Sequence, residues 1–293
     1  MKAITRRPLR LLTLSMLLVF VASLIAGQLD AVAAIFTPPT LRVTAPQAVR
    51  VGEPITLTIG LRQAYDIAGY EMVLRYDTTH AEFDGIEQRS NDLRRFGRAV
   101  SPLGAVELPD GIAFGFFSCP SAECGIGNGR VRQAARGNVQ LARVSLIARH
   151  EGLFVVRLDS LRFVDPQGQV VQVASEAPAI TVRVGARATP LIDAPAAGWS
   201  VAAAGTAREA AATTLDLTGD QRLDYADALA VAIAWTQARE GGDPCRAGLD
   251  QRYDLNGDGC LDVADAQIVA AAIQPASSAS HGPLAFIGEL LAP

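Results

Sequence analysis

The sequence has 293 residues and a formal net charge of −4 at pH 7, and 49% of its residues are hydrophobic. The negative charge argues against a phosphate-binding surface, and therefore against a nucleic-acid partner. The hydrophobic content excludes disorder of the whole chain. The length suffices for one domain of ordinary size and a second, small one.

The N-terminus has the pattern of a secretory signal peptide. Basic residues precede an apolar stretch over residues 11–25, and small residues at 31–33 provide a cleavage site before Ala34. We expect residues 1–33 to be removed and the protein to be secreted, either free outside the cell or at the cell surface. The alternative is a retained signal anchor. No later run of about 18 apolar residues occurs, so we expect no membrane span after cleavage.

Residues 38–186 have the pattern of a β-sandwich. Large apolar side chains occupy every second position over residues 55–61 and 70–76. Gly, Pro, Asn and Asp separate further short apolar runs, which lie at 112–117, 139–148, 153–158, 170–173 and 180–184. This alternation without helical stretches predicts a mainly β domain of two packed sheets.

Three segments of this region resemble cohesins and related carbohydrate-binding modules. Residues 51–54 are similar to their early Val-Gly-Asp segment, and residues 69–77 to their strand that ends in Tyr-Asp. Residues 144–148, followed by Gly152 and Leu153, resemble their later strand pair. The resemblance implies a nine-stranded jelly roll with a flat face for a protein partner or a sugar. An unrelated secreted sandwich is the alternative.

The four cysteines fall into two local pairs, Cys119 with Cys124 and Cys245 with Cys260. An exported protein meets an oxidising compartment, so two disulfides are expected. The sequence leaves three connectivities open. A zinc site is the alternative, although no His lies near either pair and the spacings fit no common zinc pattern.

Residues 187–212 are rich in Ala, with Pro and Gly interspersed, and are interpreted as a linker between two modules. Residues 213–275 form the second module, and residues 276–293 form a C-terminal tail. The tail either folds back on this module or is disordered.

Two acidic loops in the second module have oxygen-bearing side chains at the same five positions, 1, 3, 5, 9 and 12. The first loop has Asp216, Thr218, Asp220, Asp224 and Asp227, and the second has Asp254, Asn256, Asp258, Asp262 and Asp265. Position 7, which is Arg222 or Cys260, would add a backbone carbonyl. This spacing wraps the chain around a hard cation that takes six to eight oxygens, so it predicts two Ca²⁺ ions. A solvated acidic turn that binds nothing is the alternative.

An apolar helix-like run follows each loop, at residues 228–235 and 266–273. Each unit is therefore a loop followed by a helix, or half an EF-hand, and the two units together form a small α module. This double loop resembles the dockerin module of cellulosome-type systems. The second loop matches that pattern, whereas the first has Thr218 in place of Asn and Gln221 in place of Gly.

The dockerin resemblance implies a cohesin partner that contacts loop positions 10 and 11. Those positions are Tyr225, Ala226, Val263 and Ala264, which form an apolar face instead of the usual polar one. The sequence therefore does not identify the partner.

The sequence offers no convincing catalytic group. His80, His150 and His281 are isolated, and the carboxylates of Asp66, Glu71, Asp77 and Glu82 are expected on a solvated strand face. Two functions remain. The first is a non-catalytic assembly protein that binds cohesin- or dockerin-bearing proteins. The second is a polysaccharide-binding protein anchored through its dockerin-like module; aromatic side chains such as Tyr65, Phe83 and Phe96 would stack on its sugar.

Overall fold

The computed structural model describes residues 38–87, 91–120, 134–175, 179–185, 215–246 and 248–273. Every described helix and strand belongs to one compact unit, which lies within Pro39–Pro293. The predicted signal peptide, linker and tail lie outside the described residues.

The described residues form eleven strands and two α-helices. The strands are β1 (Thr40–Thr44), β2 (Ala48–Val49), β3 (Pro54–Ile67), β4 (Gly69–Tyr76), β5 (Ala81–Ile86), β6 (Ala99–Leu108), β7 (Gly111–Cys119), β8 (Ala135–Ala148), β9 (Gly152–Val164), β10 (Ala174–Ser175) and β11 (Ala179–Val184). The helices are α1 (Tyr225–Glu240) and α2 (Val263–Ala272), and short 3-10 helices lie at Asp92–Phe96 and Gln251–Tyr253.

The strands form two sheets, so the fold is mainly β, as the alternation predicts. A five-stranded sheet has the order β10-β1-β3-β8-β5, and a six-stranded sheet has the order β2-β11-β9-β4-β7-β6. The edge pairs β1 with β10 and β2 with β11 are parallel. Nine strands were expected. The described residues contain nine strands of five residues or more and, in addition, the two-residue strands β2 and β10.

The strand prediction was wrong in two respects. Residues 170–173 form no strand, because Val170 makes only an isolated bridge to Val164. The alternation also missed β1, β5 and β6. Strand β6 contains Pro102 and Gly104, which usually break strands, and the register shifts between them. Both residues are tolerated because β6 lies at the edge of its sheet.

The main hydrophobic core lies between the two sheets. Ile55, Leu57 and Ile59 of β3 are fully buried in it, and Tyr70 and Leu74 of β4 belong to the same cluster. These residues stand at alternate positions, which is why the period of two predicts the inward face of each strand correctly.

A second core covers the opposite face of the six-stranded sheet. There Val73, Ala113 and Phe117 of the sheet pack against Val231 and Trp235 of α1 and other helix residues. Strands β4 and β7 are buried along both faces as a result. The two helices form a third layer on the sandwich. We call the face of the six-stranded sheet that they cover the docking face, and residues 215–273 the loop–helix module.

Candidate metal loops and docking interface

The two acidic loops fold in the same way, beginning with the aspartate at position 1. The Asp216 carboxylate accepts hydrogen bonds from the N–H groups three and five residues later, at 2.7 and 2.8 Å. The Asp254 carboxylate accepts the equivalent bonds at 2.8 and 2.9 Å. In each loop, the backbone therefore curves around the carboxylate at position 1 and is held there by these two hydrogen bonds.

The aspartate at position 12 ties the start of each loop to the helix that follows it. Asp227 Oδ1 accepts from the N–H groups at positions 2 and 3 at 2.9 and 3.0 Å, and its Oδ2 accepts from the N–H of Asp224 at 2.9 Å. Asp265 repeats this pattern at 2.8, 3.3 and 3.0 Å. The two loops are therefore structural repeats.

The aspartate at position 9 is the N-cap of each helix. Asp224 accepts from the N–H of Ala226, and Asp262 accepts from the N–H of Ala264. Together with the aspartates at position 12 they form a capping box on each helix. These carboxylates stabilise the helix N-termini directly, because they satisfy N–H groups that have no partner within the helix.

Position 6 of both loops has a left-handed backbone. Gly259 has φ 81° and Gln221 has φ 67°. A residue with a Cβ is strained in this region, so Gln221 costs on the order of 1 kcal/mol relative to glycine. This strain is specific to the first loop.

The donor types of the two loops fit calcium, because each loop presents four carboxylates and a hydroxyl or amide oxygen. A carboxylate oxygen that accepts one N–H keeps a second lone pair for a metal. Burial raises the pKa of Asp265 to about 7. Burial and the nearby charge of Glu71 raise the pKa of Asp262 well above its usual value, and the positive charge of Arg162 acts against that rise. Within the described part of the chain, no three His, Cys, Asp or Glu side chains are gathered as metal ligands. Calcium binding therefore remains a prediction.

The two residues at position 7 differ in their side-chain surroundings. Arg222 is largely exposed, with its Nε 3.6 Å from Asp224 Oδ2. Cys260 forms a disulfide with Cys245, which joins the second loop to the segment after α1. Cys119 is also disulfide-bonded, whereas Cys124 lies outside the described residues.

The loop–helix module is held on the docking face by a buried glutamate. Glu71 of β4 accepts hydrogen bonds from Trp235 Nε1 at 2.9 Å, from Arg239 Nη2 at 2.8 Å and from the backbone N–H of Val263 at 3.0 Å. The side chains of Glu71 and Arg239 are 4% and 8% exposed. Burial raises the pKa of Glu71, and the positive charges of Arg239 and Arg162 act against that rise.

Glu71 contradicts the expectation of a solvated strand face. The alternation of β4 places it opposite the inter-sheet core, but the helices cover that second face. The sequence signal for this cover is β7, which is buried along its whole length and has no polar side chain except that of Ser118. A strand covered on both faces has a continuous apolar sequence rather than an alternating one.

Further polar contacts join the loop–helix module to the docking face. The Gln267 amide of α2 donates to the carbonyl of Ser118 at 2.8 Å and accepts from its N–H at 3.2 Å, as a neighbouring strand would. The hydroxyls of Tyr225 and Ser101 are hydrogen-bonded to each other. The guanidinium of Arg162 in β9 forms ion pairs with Asp258 and Asp262 of the second loop.

The apolar part of the interface is centred on Trp235, which is fully buried. A Cβ on Gly104 of β6 would lie 2.8 Å from the Trp235 ring. A Cβ on Gly69 of β4 would lie 2.9 Å from Val164 Cγ2 of the neighbouring strand and 3.1 Å from Val263 Cγ2 of α2. A side chain at Gly104 would therefore meet α1, and one at Gly69 would meet both the neighbouring strand and α2.

The four residues predicted to bind a partner differ in their burial. Val263 and Ala264 are buried, Tyr225 is half-buried against Phe117 and Ala226 is exposed. Val263 and Tyr225 contact the sandwich of the same chain. Sequence reasoning placed Glu71 on a solvated strand face, and no motif or spacing marks it as an anchor for the helices.

The other candidate groups are dispersed. His80 lies beside Asp77, with 2.9 Å between Nδ1 and Oδ2. Among the proposed sugar-stacking residues, Tyr65 is exposed, whereas Phe83 and Phe96 are half-buried against the main core. No helix among the described residues is long and apolar enough to cross a membrane.

No protein-family model matches the sequence. No curated protein matches it either.

Several solved cohesin structures show a weak likeness to this chain. A cohesin module from a Clostridium perfringens family 33 glycoside hydrolase is 15% identical, with a TM-score of 0.39, over 50% of this chain and 97% of that chain. A non-cellulosomal cohesin from the archaeon Archaeoglobus fulgidus is 17% identical, with a TM-score of 0.37, over 51% and 93%. A type II cohesin domain from the cellulosome of Acetivibrio cellulolyticus is 11% identical, with a TM-score of 0.37, over 50% and 95%. Similarity at this level does not establish a family.

Proposed function

We propose that this protein is a secreted, non-catalytic assembly protein. Its calcium-stabilised, dockerin-like loop–helix module docks on a cohesin-like β-sandwich, and the sandwich in turn accepts such a module. Docking takes place within one chain or between this chain and another protein that carries the complementary part.

The observation that carries the proposal is the environment of Glu71. In the described part of the chain, the three hydrogen bonds to its carboxylate all come from the loop–helix module. A buried carboxylate is costly unless it is paired and hydrogen-bonded. The docking face is therefore complementary to this module in charge as well as in shape.

Calcium enters the proposal through the two repeated loops. The second loop resembles dockerin loops at Asp254, Asn256, Asp258, Gly259, Asp262 and Asp265, and the two loops share the same hydrogen-bonded geometry. The side chains named for the two loops would hold one Ca²⁺ each. Each metal ion would offset much of the negative charge of its loop.

Export and assembly outside the cell are supported by the signal-like N-terminus and by the Cys245–Cys260 disulfide. Disulfides persist mainly in oxidising compartments such as the extracellular space. The resemblance of residues 51–54, 69–77 and 144–153 to cohesins supports a protein partner for the sandwich.

The test is binding in trans. A chain truncated to residues 34–186, checked for its β-sheet circular dichroism, is mixed in calcium with a labelled module of residues 213–275. We expect saturable binding to the module and none to cellulose or chitin. Binding to either polysaccharide without binding to the module would replace the proposal with the carbohydrate-binding alternative.

A further inference from the structure

We propose that Arg162 of the sandwich acts as a tethered cation for the second acidic loop and competes there with calcium. This inference rests on the proposed function, because it assumes that the loop binds calcium. Docking of the module on the sheet would then weaken metal binding at this loop, and metal binding would weaken docking.

The first observation is which oxygen atoms Arg162 contacts. Its Nη1 lies 2.8 Å from Asp258 Oδ2, and the same nitrogen forms the ion pair with Asp262 Oδ2. The Oδ1 atoms of these two aspartates accept the N–H groups of Cys260 and Ala264. Within the described residues, the Oδ2 atoms accept no backbone N–H and are therefore the less engaged oxygens for a metal at positions 5 and 9, and one guanidinium nitrogen reaches both.

The second observation is burial. Asp262 is 2% exposed, and its Oδ2 accepts no hydrogen bond of ordinary geometry although Arg162 lies in ion-pair contact with it. The Arg162 side chain is 24% exposed. Charges that are partly removed from water attract each other more strongly and are screened less by salt. Because an arginine side chain stays protonated, it supplies this charge at every physiological pH.

The first loop provides an internal comparison. The equivalent aspartates, Asp220 and Asp224, bond the same backbone N–H groups through Oδ1. The cation near them is Arg222 of the loop itself, whose side chain is 76% exposed and 3.6 Å from Asp224. An exposed pair of this kind contributes little. Arg162 therefore distinguishes the second loop from the first.

The consequence follows from linkage. If docking brings Arg162 into the second loop and lowers its affinity for calcium, calcium at that loop must weaken docking by the same factor. The first loop is free of this coupling, so it can bind calcium while the module stays docked.

The test is calcium titration calorimetry on the full mature chain. Asp220→Asn silences the first loop, and Arg162→Gln then removes the competing charge. We expect Arg162→Gln to tighten calcium binding at the second loop about tenfold, as expected for the loss of a charge-assisted contact. Arg157→Gln, an exposed change of the same charge on the same strand, should alter it less than about twofold. An Arg162→Gln affinity that is unchanged or weaker overturns the proposal.

A charge-conserving variant separates competition from a looser fold. Arg162→Lys keeps the positive charge, so its affinity should stay near that of the unsubstituted chain. Equal tightening in Arg162→Lys and Arg162→Gln contradicts competition. Absence of calcium binding in every variant overturns this inference together with the calcium part of the proposed function; binding of the module to the sandwich in trans is measured separately.

Discussion

Glu71 is the residue on which the docking interface depends most. It is a buried anion on an apolar face, and its partners come from both helices of the loop–helix module: Trp235 and Arg239 from α1, and Val263 from the start of α2. Such an arrangement adds specificity rather than much net stability, because desolvating two charges offsets most of their attraction. Removing either Glu71 or Arg239 alone destabilises the fold far more than replacing both by apolar residues, because the remaining charge stays buried without a partner.

We therefore expect Glu71→Ala to lower the free energy of unfolding by about 3 to 5 kcal/mol, because Arg239 is left buried without its partner. Urea unfolding of the full chain, followed by tryptophan fluorescence and circular dichroism, measures this loss. Glu82→Ala is the matched control, since Glu82 forms an exposed pair with Arg149 and should cost less than about 1 kcal/mol. Equal losses in the two variants would show that Glu71 is not an anchor.

Gln221 illustrates a local strain that the sequence alone identified. A loop motif that places glycine at position 6 predicts a left-handed backbone there, and Gln221 has φ 67°. Gln221→Gly should relieve this strain and tighten calcium binding at the first loop about fivefold, which corresponds to about 1 kcal/mol. Calorimetry with the second loop silenced by Asp258→Asn gives the value. The converse change, Gly259→Gln, should weaken the second loop, and an unchanged affinity in both variants would contradict the argument from strain.

At the scale of elements, the loops and helices are parts of one cooperative unit. The aspartates at positions 9 and 12 cap the helices through backbone N–H groups, and the same carboxylates are the predicted ligands. A metal that fixes the loop would therefore also fix the first turn of the helix. Helices as short as α2 depend on such terminal and tertiary contacts, since isolated helices of this length are marginal in water.

Removing calcium should accordingly destabilise α1 and α2 more than the sandwich. Calcium at a thousandfold excess over its Kd adds about 4 kcal/mol to the folded state. EDTA should therefore lower the midpoint of the helical circular dichroism signal at 222 nm on heating, with a smaller change in the sheet signal. A chain carrying both Asp216→Ala and Asp254→Ala should not respond to EDTA. An equal response from this double variant would show that the loops are not the metal sites.

The sequence predicted strands well where one face of the strand is buried. It predicted them poorly where the position in the sheet or a contact with the helices determines which residues are tolerated. Strands β3 and β8 alternate over one core, and their central residues are identified correctly. Strand β6 was not predicted, because Pro102 and Gly104 usually break strands. Pro102 is tolerated because β6 lies at the edge of its sheet, and Gly104 leaves room for the ring of Trp235. The loops were predictable because their ligand pattern is local in sequence.

At the scale of the whole molecule, the described residues form three layers: two sheets and a pair of helices. The sequence separates the sandwich from the loop–helix module by a linker, and apart from the apolar run of β7 nothing in the local sequence indicates that the two pack together. The relevant contacts join residues more than 90 positions apart, such as Arg162 with Asp258 and Glu71 with Arg239. Periodicity does not report contacts at such separations.

The docking of the module also changes how the predicted partner-binding face is interpreted. Val263 and Tyr225 were assigned to a face for another protein, and within this chain they lie against the sandwich. A partner that binds the same face must displace the intramolecular contact. The apparent affinity of that partner then equals its intrinsic affinity multiplied by the fraction of chains in which the face is free.

The most direct test of the account is cleavage of the chain between its two parts. A protease site is introduced within residues 187–212, the mature protein is cut in calcium, and the products are separated by size-exclusion chromatography. We expect the sandwich and the loop–helix module to elute together, and the same cut in a Glu71→Ala chain to release the module. Separation of the two parts in the cut chain that retains Glu71 would contradict the claim that the sandwich is a docking surface for this module.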